Sequence, residues 1–374
     1  MERLAASHGF HRPSRSLLLS ALVVLSVGIG GRRSQSWAAV CNTTSSSTTA
    51  NTFRVESLID VRALKEAVDC DDGGHVEAVW AGSITLSSEP ISIGRGTFLS
   101  ITGENQQAAV RGHDTCMFDV HEGGSLSLTQ LTLSEGTAER GGAIHSLEAR
   151  LTLDSCVFDG NYASSTATDA VEDGATVSGN GGAVWAQGGE VTIFGGSFSN
   201  NSATGFGGGL FASSTNLTIQ DGTGFEGNKA VQGGALYGTG LLSCNLNNAT
   251  FVSNDASYDD AVDVRNNEDA FEAGGAAAFV DTEVEVVISD CLFAWNVAHL
   301  YSGGALFGGT DVDLLVDQCT FRNNTARENG GAIAAASATI GGGTELSHNF
   351  AGEDGGAVRL AHEVLTADST QTSL

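Results

Sequence analysis

The chain has 374 residues, 50 of them Gly and only 2 Pro, and a formal charge of −27 at neutral pH. A surface this acidic does not hold nucleic acid or anionic lipid head groups through a basic patch. The length suffices for one long repetitive domain, and the apolar residues are periodic, which separates the chain from a disordered Gly-rich one.

Residues 1–39 read as a secretory signal. Arg12 and Arg15 precede the apolar run Leu17–Ile29, and Trp37-Ala38-Ala39 supplies small residues for cleavage. Arg32-Arg33 after the run leaves a signal anchor as the alternative, although the run is short for a membrane span. Five of the 17 basic residues and one of the 44 acids lie in this leader, so the rest carries 12 basic against 43 acidic groups, a charge of −31. Such a body could take divalent or basic partners; the plainer reading is a soluble, exposed surface. Residues 40–52, which contain CNTTSSSTTAN, form a polar Ser/Thr-rich linker.

One domain is expected over residues 53–365. It opens with Val55–Val68, where Leu58, Ile59, Val61, Leu64 and Val68 alternate with charges at helical spacing. Placed before the first strands, this helix would cover the end of whatever they build. Residues 76–120 then supply irregular strands: VEAVWA, SITL, PISIG, FLSITG and CMFDV.

From Gly141 to Val358 two short motifs keep step. Gly-Gly-Ala-like elements start at Gly141, Gly181, Gly207, Gly233, Gly274, Gly303, Gly330 and Gly355, at spacings of 40, 26, 26, 41, 29, 27 and 25. Between them fall Phe158 with Asn161, Phe198 with Asn201, Phe225 with Asn228, Phe251 with Asn254, Phe293 with Asn296 and Phe321 with Asn324. Leu346 with Asn349 is a degenerate seventh pair. A period of this size means a solenoid. Within a unit, Leu151, Leu153, Cys156 and Phe158 sit at i, i+2, i+5 and i+7. Steps of two are strand spacing, and the step of three is a corner where the inward parity resets. Leu126, Leu128, Leu131, Leu133 and Gly136 fit the same frame, so the coil begins before the motif is obvious. Short strands joined by tight bends and stacked turn on turn make an all-β parallel β-helix. It should be right-handed, the general preference of parallel crossovers.

Stacking explains the residue types. Phe would stack on Phe inside. Asn at a bend can hydrogen-bond to its backbone and to the Asn of the next coil, and it tolerates left-handed φ. Gly-Gly suits a bend needing positive φ or a close approach of adjacent coils. The seven Cys (41, 70, 116, 156, 244, 291 and 319) show no zinc spacing. Cys156, Cys291 and Cys319 share one inward position, Cys244 occupies another, and all four read as small buried thiols rather than disulfides.

Two units are longer, by residues between Asn161 and Gly181 and between Asn254 and Gly274. Both insertions should leave the same edge. The second gathers Asp255, Asp259, Asp260, Asp263, Glu268 and Asp269. Hard cations want such oxygens, but no EF-hand or nonapeptide calcium pattern is present, and a solvated acidic loop is the favoured reading. Residues 366–374 are a polar tail that cannot cap a coil.

The paired GGA[ILV] and FxxN motifs over about Gly141–Val358 resemble the repeats of chlamydial polymorphic outer-membrane proteins, and the wider frame resembles the pectin-lyase-like right-handed β-helix superfamily. The resemblance implies a surface-displayed passenger that adheres to cells; that family also carries a C-terminal autotransporter barrel, which the 374 residues do not show, so either the solenoid ends bare or the chain is part of a longer protein. Two function classes follow. The first is a non-catalytic secreted or cell-surface protein, adhesive or recognitional, with a protein or glycan ligand. The second is a polysaccharide lyase, polygalacturonase or uronate epimerase on the same scaffold. Hydrolases need paired carboxylates, and the fragments on offer are Gly112-His113-Asp114, Asp71-Asp72, Asp259-Asp260 and His145. None sits in a matching motif, so no catalytic, cofactor or metal residue is assigned, and binding is the expected activity. In a glycosylating host, Asn42, Asn200, Asn216, Asn248 and Asn323 are the Asn-x-Ser/Thr acceptors.

Overall fold

From the coil of Thr137–Ala138 onward the chain passes through four straight runs, with one or two left-handed residues at the corners between them. In the computed structural model, which describes residues 51–70, 74–87, 89–165, 179–257 and 274–361, one coil reads Leu210–Ser213, Asn216–Gln220, Gly224–Glu226 and Lys229–Ala230. The first two runs belong to a 17-stranded sheet bent along its length, the third to a 10-stranded sheet, and the fourth to an 8-stranded sheet of two-residue strands. All pairings are parallel, and they set like on like, as in Phe198↔Phe225↔Phe251. The result is an all-β parallel solenoid of about 11 turns with one short helix near its start.

The step of three has a definite cause. Gln130, Ser155, Asn248, Asp290 and Gln318 have φ between 51 and 54°. One left-handed residue turns the strand, so the residue after it points inward again. That inward corner column runs Leu131, Cys156, Gly196, Thr223, Ala249, Cys291, Cys319 and Thr344. Its thiols do more than fill space. The Cys291 N–H donates to Cys319 Sγ and the Ala249 N–H to Cys291 Sγ, both at 3.4 Å. Thr344 Oγ1 takes the Cys319 N–H at 3.3 Å in the same way. Cys and Thr are therefore equivalent here as small hydrogen-bonding plugs. Cys244, in another column, is buried among apolar neighbours. The thiols of Cys116, Cys156, Cys244, Cys291 and Cys319 are free.

Inside, the rings of Phe158, Phe198, Phe225, Phe251, Phe293 and Phe321 stack with centroids 4.5–4.8 Å apart and planes within 11°. All six are buried. Beside them runs the column Asn161, Asn201, Asn228, Asn254, Asn296 and Asn324, each also buried. Each Nδ2 donates to the Oδ1 of the next Asn at 2.9–3.0 Å, and the chain of bonds ends on Asn349. The same oxygen takes the backbone N–H of the earlier Asn, as Asn296 Oδ1 does from Asn254 and Asn324 Oδ1 from Asn296, both at 3.0 Å. The second Nδ2 proton goes back to a carbonyl of the coil before, from Asn296 to Phe251 at 2.9 Å. A buried amide in this column leaves no donor or acceptor unused.

One expectation about this column is corrected. The left-handed bend does not fall on Asn161, Asn201, Asn228, Asn254, Asn296 or Asn324. It falls on the residue before each: Gly160, Asn200, Gly227, Ser253, Trp295 and Asn323, with His348 before Asn349. The reason is the amide's commitment. An Asn that must reach inward to its equivalents on both sides cannot also turn the corner, so its predecessor does. Thus Trp295 carries φ +60° and Asn296 does not.

The two glycines of the return bend divide two tasks. Gly207 has φ +67°. At Gly208 a Cβ would collide with the carbonyl oxygens of Gly234 and Lys229, so the second glycine is set by close approach.

The helix occupies Leu58–Cys70 rather than Val55–Val68. Asn51–Val55 is a strand paired in parallel with Val76–Trp80, burying Phe53 and Val55, so Asn51 and Thr52 also leave the linker for the first coil. Ser57 starts the helix: its carbonyl takes the Val61 N–H, and Asp60 accepts from the Ser57 hydroxyl and the Glu56 N–H. This is a capping arrangement that fixes the boundary. Val61, Leu64, Ala67 and Val68 close over the first coil, whereas Leu58 and Ile59, in the first turn, are exposed. Residues 1–50 and 362–374, with the leader, most of the linker and the tail, lie outside the described residues.

Candidate functional site

The short sheet hands the chain to the Gly-Gly bend, and this return edge is where the coils differ. The first insertion leaves after Tyr162–Ala163 and rejoins by Gly179; the second leaves after Asp255–Ala256 and rejoins at Gly274. Both spring from the same edge. Residues 166–178 and 258–273, with Asp259, Asp260, Asp263, Glu268 and Asp269, lie outside the described residues, as do Asp71, Asp72 and Asn42.

Next to that edge the first run of each coil points alternate side chains outward, and the first of these form a column. In register these are Asp119, His145, Trp185, Phe211, Tyr237, Ala278 and Phe307. Alternation predicts that they face out, yet Trp185, Phe211 and Tyr237 are only 4–5 % exposed. Side chains of the return edge lie over them. Arg140 sets its guanidinium 5.2 Å from the Trp185 ring centre, and Phe206 stacks on Tyr237 at 4.7 Å. With Ala278, Val280, Leu147 and Phe307 they form a second apolar cluster outside the coil. Its burial pushes the Tyr237 hydroxyl well above the usual range. The sequence signal is the residue after GGA[x], in GGAVW, GGGLF and GGALY; what conceals it is that the cover comes from non-repeating residues.

At the N-terminal end of this column, His145 lies flat on Trp185, centroids 4.5 Å apart, and its Nδ1 is 2.8 Å from Asp119 Oδ1. His121 Nε2 stands 3.5 Å from the other Asp119 oxygen. Burial acts to raise the Asp119 carboxyl, but the His145 hydrogen bond and the two nearby imidazoles outweigh it and hold it below the ordinary carboxylate range. Cys116 nearby is pushed up to about 12 by burial and by the Asp119 charge, so it stays a protonated thiol. Asp119 thus pairs with histidines rather than with a second carboxylate. His113 and Asp114 pair with each other at 3.1 Å in full solvent contact, and no hydrogen bond or ion pair joins them to His145 among the described residues. No group of three or more His, Cys, Asp or Glu among those residues is arranged to hold a metal ion.

Three of the four described sequon asparagines lie on outward corners. Asn200, Asn248 and Asn323 all have left-handed φ of 52–55°, and Asn216 starts a strand of the long sheet. Asn200 Nδ2 donates to Asp159 at 3.0 Å, and Asn216 Oδ1 accepts from Ser243 at 2.9 Å. One coil before Asn323, Trp295 occupies the same corner at φ +60° with 57 % of its surface exposed. A bulky residue held left-handed costs about 1–2 kcal/mol.

Residues 318–336 match the family model of the Chlamydia polymorphic membrane protein repeat. The match runs from the corner residue Gln318 through Cys319, Phe321, Asn324 and Gly330-Gly331-Ala332 to Ala336, and so holds one rung each of the corner, Phe and Asn columns. No curated protein and no solved structure gives a match to the chain. Among the described residues no helix is long and apolar enough to cross a membrane.

Proposed function

We propose that this chain is a non-catalytic surface or secreted β-solenoid that binds a cell-surface or matrix ligand, protein or glycan, through its return edge. The observation that carries the reading is convergence: both insertions leave from one edge, and the outward aromatic column lies beneath that edge. Loops on a rigid scaffold are where recognition residues concentrate, and a solenoid offers such loops a long straight mount. The polymorphic membrane protein repeat supports a place at a surface.

Removing residues 166–178 and 258–273 together should leave the β-sheet circular dichroism intact and weaken attachment of the purified chain to cells or matrix. Attachment unchanged by the double deletion would move the binding face elsewhere.

The Asp119–His145 pair supports a second reading, a polysaccharide-active enzyme. A hydrogen-bonded carboxylate and imidazole on an outer strand face is an arrangement able to move a proton. Assays on pectate, polygalacturonate and alginate, with and without calcium, separate the two. Binding predicts no turnover; turnover abolished in His145→Ala would establish the enzyme.

A further inference from the structure

The corner before the Asn column belongs neither to the return edge nor to the Asp119–His145 pair. Its residues, one per coil, include Asn200, Gly227, Ser253, Trp295, Asn323 and His348, all left-handed. From Asn200 to Asn323 each passes its N–H to the next coil, as Trp295 does to the Arg322 carbonyl at 3.1 Å. The ridge therefore has the sheet spacing, about 4.8 Å per coil. The corner also builds a sequon. The left-handed residue points out, the ladder Asn after it is buried, and the next residue points out again, so Asn323 and Thr325 share the outer surface with Asn324 between them inside.

The four described sequons are not alike. Asn200 commits its Nδ2 to Asp159, and its neighbours on the ridge are Gly160 and Gly227. Asn216 is tied to Ser243. Asn248 stands on a different corner between Asp221 and Asp290. Asn323 makes no side-chain hydrogen bond among the described residues, and the next ridge position carries an exposed indole.

We infer that Asn323 is an N-glycan acceptor and that the first sugar of its glycan rests on the Trp295 ring. In the transfer, Nδ2 gives a proton to a base of the host's transferase and forms the C–N bond to the anomeric carbon of a lipid-linked oligosaccharide diphosphate. The anomeric C–O bond breaks, and the lipid diphosphate leaves with its electron pair. The host's transferase supplies the donor and the catalysis. A pyranose has one face of C–H groups, and an indole one coil away is an apolar surface of matching size. Burying that face against the ring accounts for an exposed Trp at a backbone position that favours Gly or Asn.

The test uses the full chain, led into the secretory route of a eukaryotic cell by an added signal sequence. Release of glycans by amidase in heavy-oxygen water, followed by peptide mapping, reads occupancy at Asn323. Trp80 and Trp185 are buried, so in a Trp37→Phe background acrylamide quenching reports Trp295. Quenching should be weak in the intact glycoprotein and stay weak after trimming to a single sugar. It should rise, with emission shifting to longer wavelength, in Thr325→Ala, which lacks the acceptor sequence. Asn323→Gln gives the same reading should Thr325→Ala fail to fold. Thr250→Ala, which empties Asn248 instead, should leave quenching unchanged. A secreted chain with Asn323 unmodified overturns the inference, and so does a modified chain whose quenching equals that of Thr325→Ala.

Discussion

Two columns of rings run along the same coils, one inside and one outside, and they are built on different terms. Inside, every rung from Phe158 to Phe321 is the same residue, and the spacing never leaves 4.5–4.8 Å. Outside, the rungs are His145, Trp185, Phe211 and Tyr237, and the spacing drifts from 4.5 to 6.3 Å. The inner column is closed by copies of itself. The outer one is closed by Arg140 and Phe206, residues of the return edge that no repeat specifies. Regularity belongs to positions whose neighbours are their own equivalents; individuality is free to collect where the cover is supplied from elsewhere.

The contrast breaks first at the Asn column. Asn254→Ala would orphan the Asn228 amide, the Asn228 N–H and the Phe225 carbonyl, all buried. At about 1–3 kcal/mol for each of the three unsatisfied groups, a loss of about 3–9 kcal/mol is expected, read from the denaturation midpoint by circular dichroism. Next comes the return bend. Gly208→Ala should cost about 3 kcal/mol, because backbone of two neighbouring strands would have to move. Gly209→Ala should cost clearly less, since that position is Ala in the coils at Ala183 and Ala235. Equal losses for the two would show that close approach does not set the second glycine.

The outer column should yield less. Trp185→Ala is expected to lose about 2–3 kcal/mol, at or below the low end for a buried ring, because Arg140 and Leu147 can settle into the space. A loss matching Asn254→Ala would erase the distinction between the columns. The smallest effect is electrostatic. Asp119 is held below its ordinary range in the folded chain, so its contribution to stability is complete above the unfolded carboxylate pKa of about 3.9. It is lost as pH falls through the lower folded value. Asp119→Asn should flatten the acid limb of the stability–pH curve by under about 1 kcal/mol. An unchanged limb would mean that the His145 pair carries no net stability.

What can be read from the chain follows the same division. The i, i+2, i+5, i+7 frame at Leu151–Phe158 is enough to place strands, corner and ring column, because each inward side chain meets its own equivalent. Its limit is the backbone: which residue of F-x-x-N turns left-handed depends on the hydrogen bonds between coils. Asn296 takes the inward place and Trp295 takes the strain, and nothing in the spacing distinguishes the two. The helix start is readable in Ser57 and Asp60, but Val55 belongs equally well to an alternating strand with Phe53, and pairing with Val76–Trp80 decides it. The Asp119–His145 pair is out of reach, since the residues stand 26 apart and meet only because two coils are in register.

The Asn column has one further consequence, for inheritance rather than stability. Asn161 and Asn201 are separated by 40 residues and Asn201 and Asn228 by 27, yet both links measure 2.9 Å. The link is blind to what the chain does between its ends. Every coil from Asn161 to Asn324 offers the same donors on one side and the same acceptors on the other, so within this stretch one coil can follow another. A gene for such a chain can gain or lose a whole coil by unequal recombination and still encode a joint that fits. Surface variety can then arise by shuffling interchangeable units as well as by point substitution.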